Sequence, residues 1–225
     1  MPHDHTIPRR LFVALATAAT MHAYRATAVA DEVPLQKLFD DSVRLLFDGK
    51  PEASALGFDS LVQARPDMEP HLWQRGLALY YANRFADGRR QFELHRTVNP
   101  ADVENVTWHF ACMAREVSPE AARQAILPVG DDGRVPMKEV LAFYRGAGPA
   151  DAVITAADSA PQATRRDAHC YGHLYLGLHA EALGQTDLAR KHLLLAAGKY
   201  SMDHFMGKIA TLHVRLRGWD GAHDR

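Results

Sequence analysis

The stretch "AHCYGHLYLGLHAEALG", residues 168–184, gathers three histidines, a cysteine and a glutamate. His169 and His173 are four apart, so on a helix they share a face, and Cys170 lies three before His173 and nearly shares it. Two imidazoles at this spacing can chelate one ion, a geometry suited to zinc or copper. A third ligand would come from Cys170, His204 or His213. In "ENVTWHFACMAR", His109 and Cys112 are three apart and would need two more ligands from elsewhere. The candidate metal set is therefore His109, His169, His173 and His204. Ten of the 13 histidines follow residue 30, dispersed rather than gathered into a tag. No serine occupies a G-x-S-x-G elbow, so a serine nucleophile has no support. Whether the histidines bind or pack depends on the elements that carry them.

The chain has 225 residues, 47% hydrophobic and 24% charged, a globular composition with enough length for an ordinary core. Lysine and arginine number 26 against 27 acidic residues, for a net charge of -1. That balance gives no electrostatic case for nucleic acid or an anionic membrane surface. No apolar run reaches the roughly 20 residues of a membrane span.

The first 30 residues read as an export signal. Arg9 and Arg10 form a basic start, "LFVALATAAT" a short apolar run, and Ala28-Val29-Ala30 a small-x-small cleavage site before Asp31. "RRLFVAL" also suggests twin-arginine export, although Pro8 stands where that pattern has Ser or Thr. The expected location is periplasmic or secreted. Cys112 and Cys170 are the two cysteines; neither is placed to accept a lipid, and an oxidising compartment would allow them to pair.

A period of 34 runs through the rest. Ser54, Phe58, Leu61 and Pro66 recur as Gly88, Phe92, His95 and Pro100, and faintly as Ala122, Ile126 and Val129. It restarts at Leu176-Gly177, followed by Gly184, Ala189, Leu193 and Ala196. Gly76 to Gly88 and Gly177 to Ala189 are both 12 residues. Small residues let two helices of a hairpin approach, a large one fills the gap, and proline stops the second helix. Helices are expected over 35–48 and 51–64, 69–82 and 85–97, 103–115 and 119–127, 137–145 and 149–158, and 165–183 and 186–198. A last helix over 202–216 should cap the stack. Ser118-Pro119 reads as a cap followed by a first helical residue.

This spacing resembles the tetratricopeptide repeat family across most of the chain after residue 30, best at 71–100 and 174–198. Leu61 and His95 depart from it, since the family has a small residue there. The resemblance implies an all-α fold: a right-handed superhelical solenoid of four to five hairpins over residues 31–225. It also implies an interaction scaffold rather than an enzyme, with no cofactor. The first helix of each pair would line a concave groove that takes a peptide or protein partner. That face would present Phe39, then Trp73, Leu77, Tyr80 and Tyr81, and later Tyr171, Leu174, Leu178 and Glu181. The same register puts His173 where a large residue is wedged between helices. Packing is thus the favoured role for His173, and a histidine-rich copper or zinc protein is the alternative. His95, in the slot of Leu61, reads as a buried imidazole satisfied by a backbone carbonyl or a side chain, or as a neutral donor to a site between repeats. "DDGRVPMKEV" reads as a helix cap and bridging loop, or as a loop folded over the groove.

Fused to a reporter active only outside the cytoplasm, residues 1–35 should export it. An inactive reporter with uncleaved precursor would refute the signal, and Arg9→Lys with Arg10→Lys tests the twin-arginine route.

Overall fold

The computed structural model describes residues 21–221, with side chains from residue 34 onward. Eleven α-helices follow one another: α1 (Met21–Phe47), α2 (Pro51–Ala64), α3 (Trp73–Tyr81), α4 (Phe85–His95), α5 (Val103–Glu116), α6 (Pro119–Gln124), α7 (Met137–Tyr144), α8 (Ala150–Ser159), α9 (Gln162–Ala182), α10 (Thr186–Ala197) and α11 (Phe205–Leu216). A 3-10 turn, Pro66–His71, precedes α3, and there is no strand among the described residues. Residues 1–20 of the expected export signal lie outside the described residues, and from Met21 the backbone is helical through to Phe47.

Consecutive helices pack as antiparallel neighbours, α1 on α2, α3 on α4, and α9 on α10. Their turns share one device. Gly49, Asn83 and Gly184 join these three pairs, with φ of 77°, 59° and 72°. Glycine adopts that left-handed conformation at little cost, and asparagine is among the few other residues that tolerate it. Asn83 stands 34 residues after Gly49, so the period extends into the turn.

The small-to-large spacing has a direct packing meaning. A Cβ on Gly76 would lie 2.6 Å from Phe92, and one on Gly177 would lie 2.7 Å from Leu193. In both pairs the large residue comes 16 positions later, and both are buried. Burying a side chain of that size contributes about 1.5–3 kcal/mol. In the first pair the two small positions, Ser42 and Ser54, stand for Gly76 and Gly88 and are tied by a hydrogen bond, the Ser54 hydroxyl donating to the Ser42 carbonyl at 2.7 Å. Gly88 also lets the next pair approach, since its Cβ would lie 2.9 Å from the Cys112 sulfur.

Several boundaries differ from the sequence expectation, most of all the first helix, expected from 35 and already helical at Met21. The helix expected to begin at 69 is a 3-10 turn until His71, because Pro70 offers no amide hydrogen and restricts the residue before it. The helix expected to reach 127 ends at Gln124, and an irregular segment runs on to Arg134. The last helix starts at Phe205 rather than 202. Ser118 does cap α6, its hydroxyl accepting from the Ala121 amide at 3.1 Å.

The C-terminal helix does more than cover the last pair. It reaches back to the first one: Phe205 packs edge-on against Phe47 and Trp73, with ring centroids 4.8 and 4.7 Å apart. Arg215 donates to the Phe47 carbonyl. In an open stack the first and last pairs stay apart, whereas here α11 joins them across the inner face.

Gly177→Leu should cost about 1–3 kcal/mol, because the new side chain meets Leu193 and the Ala189 carbonyl. An unchanged thermal midpoint would show that this junction is not closely packed.

Candidate functional site

Where α3, α4, α5, α9 and the start of α11 converge, a cavity of about 270 Å³ opens. Trp73 at the start of α3 and Phe92 and His95 on α4 form one side. Asp102, Glu104, Asn105 and Trp108 enter from the start of α5. Asp132 and Arg134 come from the irregular segment before α7, Tyr171 from α9, and Phe205 and Met206 from α11.

Arg134 organises the charged wall. Its Nε donates to Asp132 Oδ1 at 2.9 Å, its Nη2 to Asp132 Oδ2 at 2.6 Å and Asp102 Oδ1 at 2.7 Å, and its Nη1 to Glu104. The guanidinium also lies over the Tyr171 ring, 5.7 Å from its centroid. Asp132 further accepts from the Val103 amide at 3.1 Å, which ties the segment to α5. Asp132 therefore does not cap α7 as the sequence suggests. Pro136 precedes that helix and no side chain caps it. Asp102 caps α5 instead, accepting from the Glu104 amide at 3.1 Å.

The carboxylates are held in different states. Burial works to raise the pKa of Asp132, but Arg134 outweighs it and keeps the group below the usual carboxylate range. Glu104 is buried at the cavity wall, and burial with the nearby Asp102 charge pushes it up to about 7 against the pull of Arg134. The Tyr175 hydroxyl donates to Glu104 Oε2 at 2.6 Å.

The neutral wall is equally defined. His95 Nδ1 lies 2.8 Å from the Pro70 carbonyl, which can only accept, so this nitrogen carries the proton and the ring is neutral, as burial favours. Of the partners the sequence left open for His95, the structure supplies a backbone carbonyl. Asn105 donates through Nδ2 to the Phe92 carbonyl at 2.9 Å. Its Oδ1 and the Trp108 Nε1 are buried without a hydrogen-bond partner in the protein.

Of the nine residues expected on a groove face, Trp73 and Tyr171 line this cavity. Phe39, Leu77, Leu174 and Leu178 lie in the core. Tyr80 donates to Glu181 Oε2 at 2.9 Å, and Tyr81 shares a hydrogen bond with His213 at 3.1 Å. Tyr80 and Tyr81 are covered because Glu181 on α9 and His213 on α11 lie against them, and Phe39 packs on Phe58 of α2.

The histidines proposed as one metal set have separate partners. His109 Nε2 is 3.3 Å from Glu93, His169 Nε2 is 3.0 Å from Asp158, and His204 is 3.3 Å from the Tyr171 hydroxyl. His173 Nδ1 lies 2.9 Å from His192 Nδ1, so one ring donates and the other accepts. Tyr200 stacks on His169 and His173, with centroids 4.3 and 5.2 Å away. Burial, with the neighbouring imidazoles, pushes His173 down to about 4. Among the described residues, no three His, Cys, Asp or Glu side chains are grouped to hold a metal ion. Cys112 and Cys170 are buried, unpaired thiols.

The sequence pattern singles out the segment at 131–140, and Trp108 appears in it only within the stretch that carries His109. It does not mark Asp102, Glu104 and Asn105 as site residues. The meaning of Asp102 and Glu104 depends on Arg134, some 30 positions away, and that of Asn105 on the Phe92 carbonyl, and no local spacing announces either contact.

No protein-family model matches the chain, and no curated protein matches it. The repeat spacing alone carries the family resemblance.

Proposed function

We propose that the chain is an exported helical-repeat protein of the tetratricopeptide type that holds a peptide or protein partner, with one anchoring residue seated in the inner cavity. The recurring small and large positions support the repeat reading. The carrying observation is a preformed recess in which the rings of Trp73, Trp108 and Tyr171 meet buried polar groups. Aromatic anchors around a few fixed polar atoms are the common form of a recognition pocket.

Size narrows the occupant. Pockets for drug-sized ligands hold about 300–1,000 Å³, and this cavity falls just below that range. It suits one side chain or chain end, with the rest of the partner lying outside. The helices around it are fixed by packing, so little ordering cost attends binding.

Ala101 lies exposed on the cavity lining, where a large side chain would obstruct entry without disturbing the core. Peptides selected from a random library against the native protein should bind Ala101→Trp about tenfold more weakly or worse, a loss near 1.4 kcal/mol. The variant should keep its unfolding temperature. Selection of no peptide, or of peptides indifferent to Ala101→Trp, would contradict a binding role for the cavity.

A further inference from the structure

We propose that the group received by the cavity is a protonated amine of the peptide partner, from its own N-terminus or from a lysine. This rests on the peptide-binding reading above and names the chemistry of its anchor.

Charge gives the first argument. Three carboxylates, Asp102, Glu104 and Asp132, face one guanidinium. Even with Glu104 protonated the acidic groups outnumber Arg134. Arg134 is not available to an anion, because its four side-chain bonds end on those carboxylates. An incoming carboxylate or phosphate would meet a surplus of negative charge and no free guanidinium fork.

Asn105 gives the second, independent argument. Its amide orientation is set by the Nδ2 bond to the Phe92 carbonyl, which leaves Oδ1 as an acceptor. The residue is only 3% exposed, and that oxygen has no partner in the protein. A buried acceptor without a donor costs roughly 1–3 kcal/mol, and an ammonium N–H would recover it. One turn on, Trp108 Nε1 is a buried donor without an acceptor. An amine flanked by a carbonyl offers a partner to both atoms, which is the chemistry of a chain's first residue.

The rings give the third. Trp73 and Trp108 line the recess beside Tyr171, and the faces of such indole rings attract cations. Arg134 already uses the Tyr171 face in this way.

Tryptophan fluorescence of the full chain would follow titration with four probes. Alanyl-phenylalanine amide carries a free N-terminal amine, and acetyl-lysine amide carries only the side-chain amine. Acetyl-alanyl-phenylalanine amide and acetyl-norleucine amide are their neutral counterparts. At least one amine probe should saturate at millimolar concentration while its neutral counterpart does not, and the responding probe identifies the source. Asp102→Asn keeps an α5 cap and an acceptor for Arg134 but removes one charge. It should weaken the responding amine about threefold or more with little change in unfolding temperature. Equal binding of an amine and its neutral counterpart, no response to either amine, or full affinity in Asp102→Asn would overturn the proposal. If library peptides still depend on the cavity in that case, the peptide-binding reading stands and only the amine assignment falls.

Discussion

One carboxylate joins α3, α9 and α11. Glu181, on α9, accepts from the Tyr80 hydroxyl on α3 and from Arg217 just after α11, and lies 3.3 Å from His213 on α11. Burial works to raise its pKa, but His213 and Arg217 outweigh that and hold it well below the usual carboxylate range. Its charged form is thus the one the structure selects, and the stabilisation is present above the ordinary carboxylate pKa and is lost only in strong acid. Removing the charge would leave Arg217, half-buried, without its main partner. A partly desolvated cation stripped of its anion is costly.

The candidate site depends on this closure. His204, Phe205 and Met206 form one wall of the cavity, and they sit where α11 begins. Held by Glu181 at one end and by the Phe47–Phe205–Trp73 contacts at the other, α11 turns an inner face into a bounded recess. The opposite wall is set by Arg134, which draws the segment before α7 onto the start of α5. Two charge clusters, far apart in sequence, therefore shape one cavity. The repeat packing supplies the rigid helices and the clusters supply the enclosure.

Much of the helical scaffold was legible because its determinants are local. Gly76 and Phe92, or Gly177 and Leu193, encode a helix contact within 16 residues, and Asn83 and Gly184 encode the turn between. The 3-10 turn at Pro70 was marked by the proline, though the periodic pattern of its neighbours masked it. The closure was not legible, since the pairing of Tyr80 with Glu181 spans 101 positions and obeys no repeat. For the same reason Tyr80, Tyr81 and Glu181 read as groove residues when their polar atoms in fact serve one another. The site was half visible: Trp73 and Tyr171 follow from the repeat register, whereas Glu104 and Asn105 look like ordinary first-turn helix residues until Arg134 and Phe92 are placed beside them.

Hydrogen exchange of Glu181→Gln beside the native chain tests the closure most directly. The substitution preserves shape and an acceptor for Tyr80 while removing the charge that Arg217 requires, a loss of about 1.5–3 kcal/mol for a hydrogen bond to a charged group. Amides of α11, residues 205–216, should lose protection ahead of those in α2 and α4, whose contacts are local. Unchanged protection of α11 in the variant would contradict the account, showing that the helix is held across the inner face without this carboxylate.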